Sequence, residues 1–209
     1  MAILGTVRVQ CPGCDLERDC QLVQSINTRK DPDAKRRLLD GTLNMLVCAC
    51  GRRSQLASIV VFHDPDADYL CQVCPGGDAA MEDAARIMLA AGGTGTQRLV
   101  PSLNALVEKV KLVDAGLDDW AIEMAKVLLL AASEPPDLDR VLLFDRVDRA
   151  QQLIHWVRFG TRASREAVSP LAAYTKLAAR TNARPARSEL RIDRAWAVEA
   201  VRVMIAGAN

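Results

Sequence analysis

Four of the seven cysteines lie in two close pairs near the start of the chain. Residues 11–14 read Cys-Pro-Gly-Cys, and residues 48–50 read Cys-Ala-Cys followed by glycine. Thiolates are preferred ligands of Zn²⁺, and two such pairs on separate turns supply the four ligands of a tetrahedral site. Four protein ligands close the site to substrates, so the ion would be structural. The sequence therefore predicts a structural Zn²⁺ cofactor bound by Cys11, Cys14, Cys48 and Cys50.

Cys71 and Cys74 have the spacing of a metal or redox pair but a different setting. They lie in or beside a run with strand character, 69–73, where residues three apart point to opposite faces. They also lack the helix N-terminus that lowers the pKa of a reactive thiol. Core packing is therefore the favoured interpretation, and a second metal site or a redox pair is the alternative. Cys20 is interpreted in the same way, as a packing residue first and a spare ligand second.

The other polar residues do not form a recognisable catalytic set. The chain has only two histidines, His63 and His155, so general bases are few, and no arrangement of nucleophile, base and orienting group is visible. His155 is interpreted as structural. Asp118 and Asp119 lie at the N-cap and first turn of a predicted helix, where negative charge is favourable, so capping is favoured over a pair of catalytic carboxylates. No catalytic residue is predicted, and the sequence leans towards a non-enzymatic protein while an enzyme stays open.

Charge is balanced over the whole chain but uneven along it. The 209 residues carry 27 Lys and Arg against 26 Asp and Glu, so no global field attracts nucleic acid or an anionic membrane. Residues 76–160 hold 9 basic and 13 acidic side chains, whereas residues 161–209 hold 9 and 4. The basic C-terminal segment is interpreted as a solvated surface, with contact to nucleic acid or an acidic protein as the alternative. Its main arginines are Arg180, Arg184, Arg187, Arg191 and Arg194.

The N-terminal residues do not resemble an export signal. Residues 1–9 have strand character without a basic segment followed by a long apolar one. No run approaches the roughly 18–20 apolar residues of a membrane span. The expected location is the cytoplasm, where thiols stay reduced and cysteine pairs favour metal over disulfide.

Periodicity predicts an α+β fold that begins with a small zinc-ribbon-like sheet. A short helix at 33–40, opened by Asp31-Pro32, interrupts this sheet, and a turn is expected at 63–66. The predicted strands are 5–10, 20–27, 43–47, 55–62 and 69–73.

A helical region and a second mixed region follow. The helix at 118–132 is apolar nearly all round, so it is predicted to be central and buried. The other helices are 78–91 with Asp78 as N-cap, one from 101, 170–180, and 194–206 with Asp193 as N-cap, and a hairpin joins 140–147 to 151–159. The predicted domains are 1–76 (zinc-binding), 77–136 (helical) and 137–209 (α+β with the basic segment).

Further residues occur in order with the cysteine pairs. They are Ser25-Ile26-Asn27, Asp31-Pro32, Leu39-Asp40-Gly41 with Leu43-Asn44, His63-Asp64-Pro65 and Pro75. The pattern over roughly residues 5–76 resembles the CpXC domain family of bacterial proteins, and 106–119 resembles the helical region that often follows that domain. The resemblance implies a zinc-ribbon-like fold with its metal on the two pairs, rather than an activity. The second pair of that family is usually Cys-Pro-x-Cys, so a role for His63 in place of Cys48 or Cys50 stays open.

The leading functional hypothesis is a zinc-stabilised, non-enzymatic interaction or adaptor module that binds a protein partner. Two alternatives stay open. One is a thiol-redox or metal-dependent enzyme, and the other is a nucleic-acid-binding regulator that uses the ribbon and the basic segment. Membrane binding is not expected, and the sequence predicts no oligomeric state.

Overall fold

The computed structural model describes residues 3–159 and 164–207. Within these ranges the chain forms eleven strands in several small sheets and six α-helices, which confirms the α+β class. It divides into two compact units, Met1–Val107 and Glu108–Asn209. The division into three regions at 76 and 136 stays a prediction. Among the described residues, no helix combines the length and the apolar character that crossing a bilayer requires.

The first unit alternates strands with two complete helices and ends within a third. The third helix, α3 (Leu103–Ala115), begins in the first unit and ends in the second. The preceding elements are β1 (Leu4–Gln10), β2 (Glu17–Val23), β3 (Ser25–Asn27), α1 (Pro32–Leu39), β4 (Met45–Val47), β5 (Arg53–Gln55), β6 (Val60–Asp64), β7 (Tyr69–Val73), α2 (Gly77–Ala91) and β8 (Thr96–Val100).

Two antiparallel ribbons carry the cysteine pairs. Strands β1 and β2 pair along their whole length, and the turn between them holds the first cysteine pair. Strands β4 and β5 form a shorter ribbon whose turn holds the second pair. Antiparallel strands can be joined by a tight turn, so each ribbon presents two closely spaced side chains at its tip. The predicted ribbon strands are thus present, in two separate two-stranded sheets.

A four-stranded mixed sheet, in the order β3-β6-β7-β8, forms the interior of the first unit. Ile26, Phe62 and Cys71 are cross-strand neighbours on β3, β6 and β7, and all three are fully buried. Strands β7 and β8 are parallel, a pairing that needs a long crossover, and α2 lies in that connection. Cys71 is therefore one of the side chains that fill the core of this sheet.

Four local expectations in the first unit are wrong. The strand predicted at 20–27 is two strands, because β2 ends at Val23 in a ribbon and β3 begins at Ser25 in the mixed sheet. The strand predicted at 55–62 is two strands, because Gln55 pairs with β4 in a ribbon and Val60 begins β6 of the mixed sheet. The turn predicted at 63–66 starts later, since β6 continues to Asp64. Helix α2 has Gly76 rather than Asp78 at its N-cap, and Asp78 lies in the first helical turn.

Strand β8 follows a glycine-rich segment at 92–95. Gly92 ends α2 with a positive φ of 65°, a conformation that glycine adopts without strain. Gly95 passes so close to Asp68 that a Cβ on it would lie 2.1 Å from the Asp68 carbonyl oxygen. The backbone N–H of Thr96 donates to that same oxygen at 2.9 Å. The glycines thus allow the chain to begin β8 against the β6–β7 turn.

The second unit packs helices on a three-stranded antiparallel sheet of order β11-β10-β9. The predicted hairpin is confirmed, but the third strand was missed, because a segment with two charges, two serines and a proline has little strand character. The elements are α4 (Asp119–Ala131), β9 (Leu142–Asp148), β10 (Leu153–Phe159), β11 (Ser164–Pro170), α5 (Leu171–Ala178) and α6 (Arg194–Ala206).

Helix α4 is central, as its all-round apolar character predicts. Residues 119–127 are buried without interruption, and Trp120, Ile122 and Met124 belong to the core of the second unit. Phe144 and Trp156 meet edge to face in the same core, with ring centroids 6.3 Å apart. At α6 the prediction is also confirmed, because Asp193 Oδ1 caps the helix by accepting the Trp196 N–H at 3.1 Å.

Candidate metal centre

The first cysteine turn is folded by its own backbone. The Asp15 N–H donates to the Cys11 carbonyl at 2.9 Å, and the Cys11 N–H donates to the Leu16 carbonyl at 3.0 Å. Asp15 has a positive φ of 56°, which reverses the chain into β2. The Gly13 N–H lies 3.4 Å from Cys11 Sγ and donates to it. Amide donors of this kind favour the thiolate form that binds a metal.

The second turn is tighter by one residue. The Cys48 N–H donates to the Arg52 carbonyl at 2.9 Å, and the Gly51 N–H donates to the Cys48 carbonyl at 3.0 Å. Gly51 has a positive φ of 85°, so the position favours a residue without a side chain. The short Cys-Ala-Cys spacing is thus accommodated by a hairpin turn that the following glycine completes.

The two turns bring four sulfur atoms together. The Sγ atoms of the four cysteines all lie within 4.8 Å of one another. The Cys11–Cys50 distance is 3.7 Å and the Cys14–Cys48 distance is 3.5 Å. In a tetrahedron with metal–sulfur bonds of about 2.3 Å, each edge is about 3.8 Å. The two measured distances are opposite edges of such a tetrahedron, so this group can hold one metal ion.

Each turn contributes one buried and one exposed cysteine. Cys11 and Cys48 are buried, whereas Cys14 and Cys50 are exposed. The buried pair packs with Leu46 in a small apolar cluster, which the half-buried side chains of Val9, Cys20 and Leu56 complete. The centre therefore has an inner side in contact with the ribbons and an outer side in contact with water.

The thiols perturb one another strongly. The backbone N–H of Cys50 is the main cause that lowers the pKa of Cys48, to about 6. At Cys14 the backbone N–H of Leu16 lowers the pKa, but hydrogen bonds with the Cys48 and Cys50 thiols and burial together raise it to about 12. One thiolate is thus stabilised and a second is opposed, because the sulfur that accepts hydrogen bonds gains as a thiolate while the thiol that donates them keeps its proton. A divalent cation in the centre would reverse that opposition.

Comparison with known proteins agrees with this geometry. A family model described as "CpXC protein" matches residues 9–126, more than half of the 209-residue chain. The chain belongs to the CpXC family. No curated protein and no solved structure matches it. The CpXC match includes both cysteine turns and continues through α3 into α4. It therefore extends well beyond residues 5–76, which carry the cysteine motifs.

The other candidate ligands lie outside this CpXC centre. His63 is on β6, where its Nδ1 is 3.5 Å from Asn27 Nδ2, and it is not part of the four-sulfur group. Cys20 packs beside the centre, also without belonging to it. Cys74 is buried, and this burial raises the pKa of its thiol, the opposite of what a redox thiolate needs. The structure thus brings together the four predicted cysteines and keeps the alternatives apart from them.

The side chain of Asn44 links the end of β2, in the first ribbon, to the segment that leads into β4, in the second ribbon. Asn44 is 2% exposed and has a positive φ of 51°. Its Oδ1 accepts the Val23 N–H at 2.8 Å, and its Nδ2 donates to the Val23 carbonyl at 2.9 Å and to Ser58 Oγ at 2.9 Å. The amide thus behaves as an extra backbone unit at the end of β2. The Asn44 side chain thus satisfies both backbone hydrogen-bonding groups of Val23.

The second unit contains a buried ionic network that the sequence interpretation missed. Lys126 Nζ lies 2.7 Å from Glu108 Oε1 and 2.9 Å from Glu123 Oε1. Lys109 Nζ lies 2.8 Å from Asp119 Oδ2 and donates to the Ile192 carbonyl at 2.9 Å. Each of the five charged residues is at most 9% exposed.

This network corrects the interpretation of Asp118 and Asp119. Asp118 occupies the N-cap position of α4 but its side chain makes no capping bond. Asp119 is an ion-pair partner of Lys109. The signal was present in the sequence: residues 119, 123 and 126 follow helical spacing within a helix that is otherwise apolar all round, and buried charges require partners.

Proposed function

We propose that the CpXC centre holds Zn²⁺ as a structural ion and that the protein acts as a non-enzymatic interaction module. The four sulfur atoms within 4.8 Å of one another carry this proposal. Thiolate ligands select soft or borderline metals, and a tetrahedral set of four sulfurs is typical of zinc or iron. Zinc has no redox chemistry and no geometric preference of its own, which suits a site whose role is to join two ribbons.

The arrangement favours a structural ion over a catalytic one. Catalytic zinc sites keep one position for water or substrate, whereas four cysteine ligands fill the coordination shell. Of the three remaining thiols, Cys71 and Cys74 are buried and Cys20 is half-buried. Both features favour a role in binding over a role in catalysis.

The surface beside the metal centre supports the interaction hypothesis. Leu16 follows Cys14 by two residues and is 48% exposed, and Val47 directly precedes Cys48 and is 61% exposed. Apolar side chains at the tips of both ribbons would be held in place by an ion that joins the tips. They provide contact area for a protein partner.

The metal hypothesis is tested by elemental analysis of the purified full chain. We expect one zinc ion per chain, which Cys14→Ser and Cys48→Ser abolish. The matched control is Cys20→Ser, because Cys20 packs beside the centre without joining the four-sulfur group. Zinc retained in both Cys14→Ser and Cys48→Ser would overturn the assignment, and iron in place of zinc would overturn the choice of metal.

Chelation tests the structural role, and the tryptophans make the test specific. Trp120, Trp156 and Trp196 all lie in the second unit, so tryptophan emission reports on that unit alone. We expect a chelator to unfold the first unit, since metal-binding energy is folding energy in such sites. This unfolding would reduce the far-ultraviolet circular dichroism of the chain and its melting temperature, whereas tryptophan emission would report on the second unit alone. A chelated, metal-free protein with unchanged dichroism and melting temperature would refute the structural role.

Thiol titration separates this proposal from a redox enzyme. A filled four-cysteine site protects four thiols until the chelator is added. A redox pair at Cys71 and Cys74 would instead react at neutral pH in the metal-loaded protein.

The interaction role has its own test: a partner retained by the wild-type protein should be lost in Val47→Ser. The same partner should be kept in Val141→Ser, which changes an exposed valine of the second unit.

A further inference from the structure

The second unit contains an apolar groove whose lining residues all belong to that unit. It has a volume of about 360 Å³ and lies between α4, α5, α6 and the β10–β11 pair. Its apolar lining is mainly aliphatic, and a volume of this size is within the range of small-molecule binding sites. The principal side chains are those of Leu128, Leu129, Ile154, Leu177 and Met204.

Two cations stand at this groove without a carboxylate to pair with. Lys176 and Arg180 line it, and both are exposed. Within residues 3–159 and 164–207, neither makes an ion pair, and no acidic residue lines the groove. By contrast, Arg202 on the neighbouring helix α6 has Glu199 at 3.0 Å. The groove therefore combines an apolar wall with an unbalanced positive charge.

The remaining polar groups of the lining are two hydroxyls. Ser169 Oγ accepts the Trp156 Nε1–H at 2.9 Å, and the Tyr174 hydroxyl accepts the Asp118 N–H at 2.9 Å. Each hydroxyl keeps its own proton for donation. The polar lining thus offers hydrogen-bond donors and positive charge, which suits an anion that only accepts.

A second, more polar groove adjoins the first one. It has a volume of about 350 Å³, shares Arg180 and Met204 with the apolar groove, and its lining includes Arg184 and Glu199. Arg180 therefore stands where the two grooves meet. A flexible chain that fills the apolar groove can place a charged end at this cation.

We propose that this groove binds a fatty carboxylate, with the hydrocarbon chain along the aliphatic walls and the carboxylate at Lys176 and Arg180. The assignment goes beyond the proposed metal function and is independent of it, because every lining residue lies in the second unit. Apart from Ala125 at its edge, the lining also lies beyond the residues that the CpXC family model matches.

The test is calorimetric titration of the metal-loaded full chain with octanoate, decanoate and dodecanoate below their micelle-forming concentrations. Each methylene that enters the groove should tighten binding about fourfold. Dodecanol should bind more weakly than dodecanoate, because it lacks the charge. Absence of saturable dodecanoate binding would overturn the proposal, and equal binding of alcohol and acid would overturn the role of the cations.

Variants locate the ligand. Lys176→Gln and Arg180→Gln should each weaken dodecanoate binding by about fivefold, the upper range for an exposed ion pair. Arg187→Gln is the matched control, since Arg187 is exposed and lies outside the groove lining. Ala173→Trp places a large ring at an exposed position of the lining and should abolish binding while the melting temperature of the protein is unchanged. Undiminished binding in a folded Ala173→Trp protein would place the ligand elsewhere and refute the assignment.

Discussion

Replacement of Lys126 should severely destabilise the second unit. Lys126 is 7% exposed and contacts two carboxylates, those of Glu108 and Glu123. Burial by itself lowers the pKa of Lys126, but the two carboxylates outweigh burial and raise it. The ammonium group is therefore charged throughout the range in which proteins are handled. In Lys126→Met the side-chain volume is nearly kept and the charge is lost.

The magnitude follows from what the substitution leaves behind. Removing one partner of a buried ion pair costs about 3–5 kcal/mol, because the other charge stays desolvated and unpaired. Glu123 keeps a contact with Lys109 at 3.7 Å, and Glu108 keeps the Phe144 N–H as a donor. These contacts place the expected loss in the free energy of unfolding at about 3–4 kcal/mol. That is a large fraction of the 5–15 kcal/mol typical of a folded domain.

Urea unfolding followed by tryptophan emission measures this loss, since all three tryptophans lie in the second unit.

The matched control is Arg202→Met, which breaks an exposed pair with Glu199 and should cost less than about 0.5 kcal/mol. A Lys126→Met protein within that same margin of wild type would refute the reasoning.

Two further substitutions test hydrogen bonds that fix the elements. Asn44→Ala removes three hydrogen bonds and leaves the Val23 N–H and carbonyl unpaired. Chemical denaturation followed by far-ultraviolet dichroism should therefore show a loss of about 2–3 kcal/mol in the free energy of unfolding. The control Asn27→Ala, at a half-buried position with longer contacts, should lose less than half as much. Asp193→Ala removes the cap of α6 and should cost about 1 kcal/mol in urea unfolding followed by tryptophan emission. Asp193→Asn should stay close to wild type, because asparagine also caps helices. An equal loss of stability in both variants would contradict a capping role.

Much of the metal centre could be predicted from the sequence because its information is local. Short cysteine spacings fix which sulfurs share a turn, and glycine at 51 indicates where the chain can reverse. The meeting of the two turns could be inferred only from the requirement for four ligands, and the structure supplies the distances. His63 was harder to place, since its strand β6 belongs to the mixed sheet, where its partner on β3, Asn27, is 36 residues away.

The features that escaped prediction depend on distant partners. Strand β11 has little intrinsic strand character and pairs because β10 presents an edge to it. The ionic network requires Lys109 to meet both α4 and the Ile192 carbonyl, 83 residues further along the chain. Helical periodicity identified α4 as buried but did not pair its charges, because pairing depends on which helix lies opposite.

The position of the sulfur atoms also bears on the unfolded chain. Cys14 and Cys48 are 34 residues apart, and the intervening segment contains β2, β3, α1 and β4. An ion bound to both turns closes this loop, and by analogy with a covalent cross-link of that span it lowers the chain entropy of the unfolded state by the equivalent of about 4 kcal/mol. The short helix α1, with only Ala34 and Leu38 buried, would gain from that restriction without touching the metal. Metal exchange would thus act as a reversible tether on a segment of chain rather than on one turn.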